Sequence, residues 1–360
     1  MYQFVANLLP ISLFICWIPA AVEAEPVRLG ILTDFSGPMS YWGAGTRTGA
    51  ELARDEILAN GGKLSLFFGD HQLQPKTAVA ELQKLTDVDR IDGLYSEFAP
   101  TVLAIAPIIE RKKLPMIYSA AATSPLQICS TCFKSYLDFV GGCKCLGNYW
   151  RSIGIKRPGF LRLNIEPGDL CLSGMKAVFP EILESEYSSG DDVSSQILRL
   201  RRKKVDAILN IGFEPDFLRT LRSLRDLKFN VPIGTQEDAI SQNALSQEPD
   251  SSINIDIFGF SPPSKEFVKK FSSKLSSSGT ISAAALAYTH IKQLYRAITM
   301  CQNDDIKCKI SAISSSPPDH ESGFSGWNNR IAEFSIETRV LKPGTGPHSL
   351  EHPTLNLSCS

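Results

Sequence analysis

Val27-Arg28-Leu29-Gly30-Ile31-Leu32-Thr33, followed at once by Asp34-Phe35-Ser36-Gly37-Pro38, is the stretch on which the fold turns. An apolar run that stops at turn-forming residues reads as a β-strand entering a loop. Residues Ala44 to Asn60 then carry the apolar spacing of an amphipathic helix. A strand that hands its C-terminal end to a loop and a helix N-terminus is the unit in which open α/β sheets hold small ligands. The unit recurs. Lys63 to Gly69 reads as a second strand behind a Gly61-Gly62 helix stop, and Pro75 opens a helix to Thr86 with Ala78, Leu82 and Leu85 on one face. Asp92 to Ser96, an apolar helix ending at Arg111, and Leu114 to Tyr118 complete the series. This is the rhythm of a parallel, doubly wound sheet, and right-handed crossovers put its polar loops on one edge.

The rhythm breaks at a cysteine-rich stretch, residues 129–145, which reads as an exit from the first domain. It then restarts. Pro158 to Leu163 is a strand and Leu172 to Leu183 a helix; Ser194 to Lys204 is a helix and Val205 to Ile211 a buried strand. A helix from Pro215 to Leu227 and strands at Val231–Gly234 and Ile255–Gly259 follow. Helices from Ser264 to Ser276 and from Ile281 to Cys301 are expected back in the first domain, and Gly326 to Glu337 reads as a turn and an outer strand. With 360 residues, the chain exceeds one ordinary core, so two domains of α/β class are expected.

Composition narrows the function classes. A net charge of −1 gives no basic excess for nucleic acid. The run Arg199, Arg201, Arg202, Lys203 and Lys204 has the spacing of a solvated helix face. Residues 1–24 read as an export signal: Phe4 to Ile18 is apolar, and Val22-Glu23-Ala24 places small residues around a cleavage site. The alternative, a retained anchor, needs about 20 apolar residues, more than this run supplies. Cys16 lacks the small residue that precedes a lipidated cysteine. The other eight of nine cysteines fit an oxidising compartment. Cys129, Cys132, Cys143 and Cys145 would also suit zinc as four thiolates, but disulfides are the commoner outcome in an exported chain. Cys301 and Cys308 could pair across a polar turn, leaving Cys171 and Cys359. No metal or cofactor is expected. Enzymatic chemistry has little support: His71, His290, His320, His348 and His352 show no ligand spacing, and there is no nucleophile elbow, P-loop or dinucleotide fingerprint.

Taken together, these residues resemble the type I periplasmic solute-binding proteins, the branched-chain amino-acid-binding group of ABC transporters. The matching pieces are Ser36-Gly37-Pro38 with Gly43, Gly49-Ala50-Glu51, Asn60-Gly61-Gly62, Asp70 with Gln74-Pro75, Ala80, Pro107 and Ala122-Thr123-Ser124-Pro125. Similar patterns recur at Asn210 to Pro215 and at Gly323 to Trp327. The resemblance implies two doubly wound parallel-sheet lobes joined by a three-segment hinge and closing over a solute. The implied lobes are residues 25–136 with 261–321 and residues 137–260 with 322–360. It implies a monomer in the periplasm that passes a small polar solute, an amino acid, amide or related compound, to a membrane permease. A ligand-sensing subunit signalling to a membrane receptor or sensor kinase is the alternative.

The resemblance also assigns the cleft. Members that bind amino acids hold the carboxylate with a hydroxyl and backbone N–H groups from two first-lobe loops, which match Ser96 to Ala99 and Ala120 to Thr123 here. Ser96, Ala121 and Thr123 are thus implied contacts. Glu97 stands where a serine is usual, so it either points away or faces a solute with positive charge or hydrogen-bond donors. Trp42 takes the position of an aromatic over the solute, with Tyr41 beside it and Phe213 facing from the second lobe. Glu237 or its neighbour Asp238 would take a solute ammonium, Glu237 being the chosen residue. Where the family usually has an aromatic before a glycine, this chain reads Glu166-Pro167-Gly168 with Asp169 following.

Overall fold

A computed structural model describes residues 25–241, 253–274, 280–301, 305–341 and 355–359. The export-signal reading of residues 1–24 lies outside the described residues, as does the end of the helix expected to reach Ser276. Two seven-stranded sheets are present, each the base of one α/β lobe.

The first sheet contains β1 (Val27–Thr33), β2 (Leu64–Asp70), β3 (Gly93–Glu97), β4 (Met116–Ser119) and β5 (Cys132–Lys134), with β11 (Phe324–Asn328) and β12 (Ile331–Phe334) added at one edge. Its order is β11-β12-β5-β4-β3-β1-β2. The second sheet contains β6 (Pro158–Leu163), β7 (Leu183–Tyr187), β8 (Ala207–Ile211), β9 (Ile233–Gln236) and β10 (Ile255–Phe260), with β13 (Ile336–Leu341) and β14 (Leu355–Ser358), in the order β14-β13-β10-β9-β8-β6-β7. Within each lobe the five leading strands run parallel and take the same order, second-first-third-fourth-fifth. That order reverses direction between the first and third strands, and ligands of such sheets collect at the C-terminal ends of those two strands.

The helices pack as the periodicity predicts. Helix α1 (Ser40–Ala59) lies against the long helix Ile281–Met300, and a Cβ on Gly49 would sit 2.0 Å from the Ala284 carbonyl oxygen. Only glycine permits that approach. Leu29, Ile31, Ala53, Ile57, Tyr288 and Ile291 fill the core beside it. In the second lobe Leu161, Ile208, Ile233 and Ile257 meet Phe217 and Leu221 of helix Glu214–Asp226.

Several expectations need correction. The segment Phe324–Phe334, expected in the second lobe, belongs to the first sheet: β12 pairs in parallel with β5, and Asn329 and Arg330, both at positive φ, make the tight turn of a hairpin. Trp327 is held there by Phe133, with ring centroids 5.1 Å apart. The third passage between lobes therefore lies between Phe334 and Ile336. The helix expected at Leu172–Leu183 runs instead from Glu166 to Lys176, because Pro167 starts it a turn and a half early, and Leu183–Tyr187 is an edge strand. The cysteine-rich stretch holds β5 and a helix, Phe139–Ser152, neither of which the sequence pattern revealed.

The disulfides are Cys129–Cys132, Cys143–Cys171, Cys145–Cys359 and Cys301–Cys308. The cysteine cluster thus splits. Cys143 and Cys145 tie helix Phe139–Ser152 to two distant parts of the second lobe. Among the described residues no group of His, Cys, Asp and Glu could hold a metal ion, and no helix is long and apolar enough to cross a membrane.

Candidate functional site

The three passages between lobes follow β5, follow β10 and join β12 to β13. They are bound together by rings: Tyr136 lies 5.5 Å from Phe260, and Phe260 lies 5.1 Å from Phe334. The Ser261 N–H donates to the Ser335 carbonyl at 3.0 Å. In front of this hinge the C-terminal strand ends of both sheets face each other, and a small, partly open cavity of about 30 Å³ lies between them, room for one or two waters. Its wall comes from the loops after β1, β3 and β4 in the first lobe and after β6, β8 and β9 in the second.

The first loop explains how Trp42 arrives there. The Asp34 carboxylate accepts the N–H groups of Gly37 and Met39 at 2.5 and 2.9 Å, which folds the chain back and starts α1 at Ser40, a turn earlier than the sequence pattern suggests. A Cβ on Gly43 would sit 2.0 Å from the Asp34 carbonyl, so the tight return needs glycine. Trp42 is then fully buried, lines the cavity, and donates its indole N–H to Glu97 at 3.0 Å. Phe98 and Phe213 approach from opposite lobes with centroids 6.3 Å apart, and both line the cavity, as does Ala121. Three of the expected contacts, Trp42, Ala121 and Phe213, therefore share one wall.

The other five do not line it. Glu97 points into the first-lobe core beneath Trp42. It accepts from the Thr46 hydroxyl at 2.8 and 2.9 Å, from Tyr95 at 3.1 Å and from Thr33. Burial pushes this carboxyl up to about 7, against the pull of those donors. The serine-to-glutamate departure thus serves the lobe interior rather than a charged solute. Ser96 is buried in β3, its hydroxyl without a partner among the described residues. Tyr41 crosses the cleft behind the wall and donates its hydroxyl to the Asp238 carbonyl. Thr123 is spent on Glu166: its N–H and hydroxyl donate to that carboxylate at 2.7 and 2.9 Å. Glu237 accepts from Arg339 at 2.7 Å, from the Phe260 N–H at 2.9 Å and from the Ser282 hydroxyl, so it braces the hinge.

Its neighbour Asp238 is the acid in the wall. A short turn of 3-10 helix, Glu237–Ala239, sends the two side chains in different directions. Asp238 is buried, and burial raises its carboxyl to about 6. The Tyr136 hydroxyl, another wall residue, and the Gln236 amide face this carboxylate and pull against that rise, although Oδ1 and the Tyr136 hydroxyl meet no described residue at full hydrogen-bonding geometry. Gln236 stands beside them, its amide donating to the Gly212 carbonyl. Phe139, Ile165 and Pro167 complete the apolar part. Sequence reasoning missed Tyr136 and Phe139, which sit in the cysteine-rich passage. It also missed Gln236, which the strand-end rule could have flagged.

A larger groove of about 650 Å³ lies elsewhere on the first lobe, where Lys292 pairs with Glu56 at 2.7 Å and Lys270 with Glu321 at 2.8 Å. It shares no lining residue with the cavity between the lobes.

Comparison with known proteins agrees with this architecture. A family model described as periplasmic binding protein matches residues 26–330. Leu/Ile/Val-binding protein homolog 7 of Brucella melitensis is 29% identical over 114 residues, 30% of this chain and 28% of that protein, so the chain matches little more than a quarter of that relative's length. The branched-chain amino-acid transporter substrate-binding protein LivJ of Streptococcus pneumoniae, solved in complex with isoleucine, superposes with a TM-score of 0.80 at 15% identity, covering 93% of this chain and 99% of that one. A solute-binding protein of an R. palustris ABC transporter, solved with 4-hydroxybenzoate, gives 0.79 at 18% identity, covering 89% and 94%. At such identities the likeness is one of fold.

Proposed function

The chain belongs to the periplasmic binding protein family, and from that premise we propose that it captures a small solute between its lobes and delivers it to the permease of an ABC transporter. The observation that carries this reading is the cavity itself. It lies at the strand ends of both sheets, is walled from both lobes, and contains the buried Asp238 carboxyl beside Tyr136 and Gln236, with an oxygen at full hydrogen-bonding geometry to no described residue. The space as it stands admits one or two waters, so a larger solute enters with the lobes further apart; contacts it then gains from both walls on closing are the differential contact that drives a hinge.

The wall supports a compact solute, apolar over most of its surface, with a hydrogen-bond donor at the Gln236–Asp238 end. Trp42, Phe98, Tyr136, Phe139 and Phe213 suit a ring or a branched chain. This is narrower than the broadly polar solute implied by resemblance. The protein acts as a monomer in the periplasm, a reading supported by the signal pattern of residues 1–24 and by family membership.

A thermal-shift screen over amino acids, amides, ureas, polyamines, short organic acids and aromatic amines tests the proposal, because a solute that binds the folded form raises its midpoint by mass action. A saturable rise with one compound class is expected, and calorimetry should then give one site per chain. A screen in which no small solute moves the midpoint overturns the reading.

A further inference from the structure

The Glu166 carboxylate is held entirely by the opposite lobe. Its Oε1 accepts from the Thr123 N–H at 2.7 Å, the Ser124 N–H at 3.1 Å and the Thr123 hydroxyl at 2.9 Å, and its Oε2 accepts from the Ser124 hydroxyl. All four donors lie in the loop after β4 of the first lobe; the acceptor opens helix Glu166–Lys176 of the second. Two backbone N–H groups and two hydroxyls converging on one point form a seat for a single carboxylate, with strong, charge-assisted bonds. Here the chain supplies the carboxylate. The seat borders the cavity, since Ala121 on the donor side and Ile165 and Pro167 on either side of Glu166 all belong to the wall. A solute bringing its own carboxylate must evict Glu166 or stand beside a like charge.

We propose that Glu166 is the specificity-determining residue of the cleft: it occupies the carboxylate seat itself, so the lobes close on neutral or cationic donor-bearing solutes and exclude carboxylates. The inference rests on the reading of the cavity as the solute site. Discrimination here comes from a repulsive element and a pre-filled seat as much as from attraction. The polar handle left for the solute is the Asp238 carboxyl on the far side of the wall, which favours a donor or a cation.

Acetate is the probe. Glu166→Ala in the full chain leaves the four donors without their carboxylate, and its thermal midpoint is expected to rise saturably with millimolar acetate beyond the effect of equal chloride. The wild type is expected to respond to acetate no more than to chloride. Adding Thr123→Ala to Glu166→Ala should weaken the acetate response at least tenfold. Glu166→Ser also frees the seat and gives the same readout should the alanine variant not fold. Indifference of both variants to acetate, or a wild type that responds as they do, overturns the proposal. These outcomes do not depend on the solute screen, which decides the transport reading separately. A carboxylate that binds the wild type as tightly as Glu166→Ala would overturn the specificity role and leave solute capture intact.

Discussion

Glu97 and Glu166 are two carboxylates with similar company and opposite roles. Each is ringed by hydroxyl and N–H donors: Thr33, Thr46, Tyr95 and Trp42 around Glu97, Thr123 and Ser124 around Glu166. Glu97 and all its partners belong to the first lobe, so opening the cleft leaves them untouched. Glu166 has its partners across the cleft, so opening it breaks every bond. The protonation behaviour diverges as well. Complete burial dominates at Glu97 and raises its carboxyl to about 7. At Glu166 burial also works upward, but the Ser124 and Thr123 donors outweigh it and hold the group below the usual carboxylate range. A charge enclosed in one lobe weighs on folding, whereas a charge shared between lobes weighs on their closure.

The largest effect that can break this comparison is at Glu97. Replacing it with alanine orphans four buried donors and leaves a void, so unfolding should cost about 3 kcal/mol less, read from denaturant midpoints. Glu97→Gln, which keeps the shape, should recover most of that. The pH dependence sharpens the point. Because the folded group holds its proton up to about 7, the folded state binds more protons than the unfolded one between the ordinary carboxylate range and that value. Stability therefore falls as pH rises through this window, and Glu97→Gln should flatten the fall. The sign at Glu166 is reversed: its contribution is present at neutral pH and is lost as pH drops through its lowered value. A Glu97→Ala variant as stable as the wild type would place that carboxylate outside the fold's support.

Trp42 joins the two regions, with its N–H on Glu97 and its ring in the cavity wall. Trp42→Ala should weaken the cognate solute at least tenfold, about 1.4 kcal/mol, in calorimetric titration. Trp42→Phe keeps a ring but drops the indole donor, and should lose less affinity than stability. Unchanged affinity in Trp42→Ala would remove the residue from the wall.

What the sequence shows and hides follows the same division. The strand-loop-helix units were legible because apolar periodicity is local, whereas Trp42, Ala121 and Phe213 were legible only through the family resemblance, which assigned their positions to the cleft. Asp238 was confused with Glu237 because one residue of a 3-10 turn reverses which side chain faces the cavity. Tyr136 was hidden by the cysteines around it. The Cys143–Cys171 and Cys145–Cys359 pairings join residues 28 and 214 positions apart, which no spacing rule reaches. Glu166 reads in sequence only as a lost aromatic. Its partner loop is forty-odd residues earlier, and only the closed arrangement of the lobes brings the two together.

The smallest expected effect is also the most selective. Tyr41 donates its hydroxyl across the cleft to the Asp238 carbonyl, one neutral hydrogen bond between lobes that are each complete without it. Losing such a bond costs about 1 kcal/mol, which for a two-state hinge is roughly a fivefold shift toward the open form. Tyr41→Phe should therefore leave the denaturant midpoint close to that of the wild type. It should enlarge the radius of gyration measured by small-angle scattering and lower solute affinity by no more than that same factor. Were Tyr41→Phe to unfold as readily as Glu97→Ala, interlobe and intralobe bonds would be carrying the same load. The two lobes would then be one folding unit rather than two bodies on a hinge.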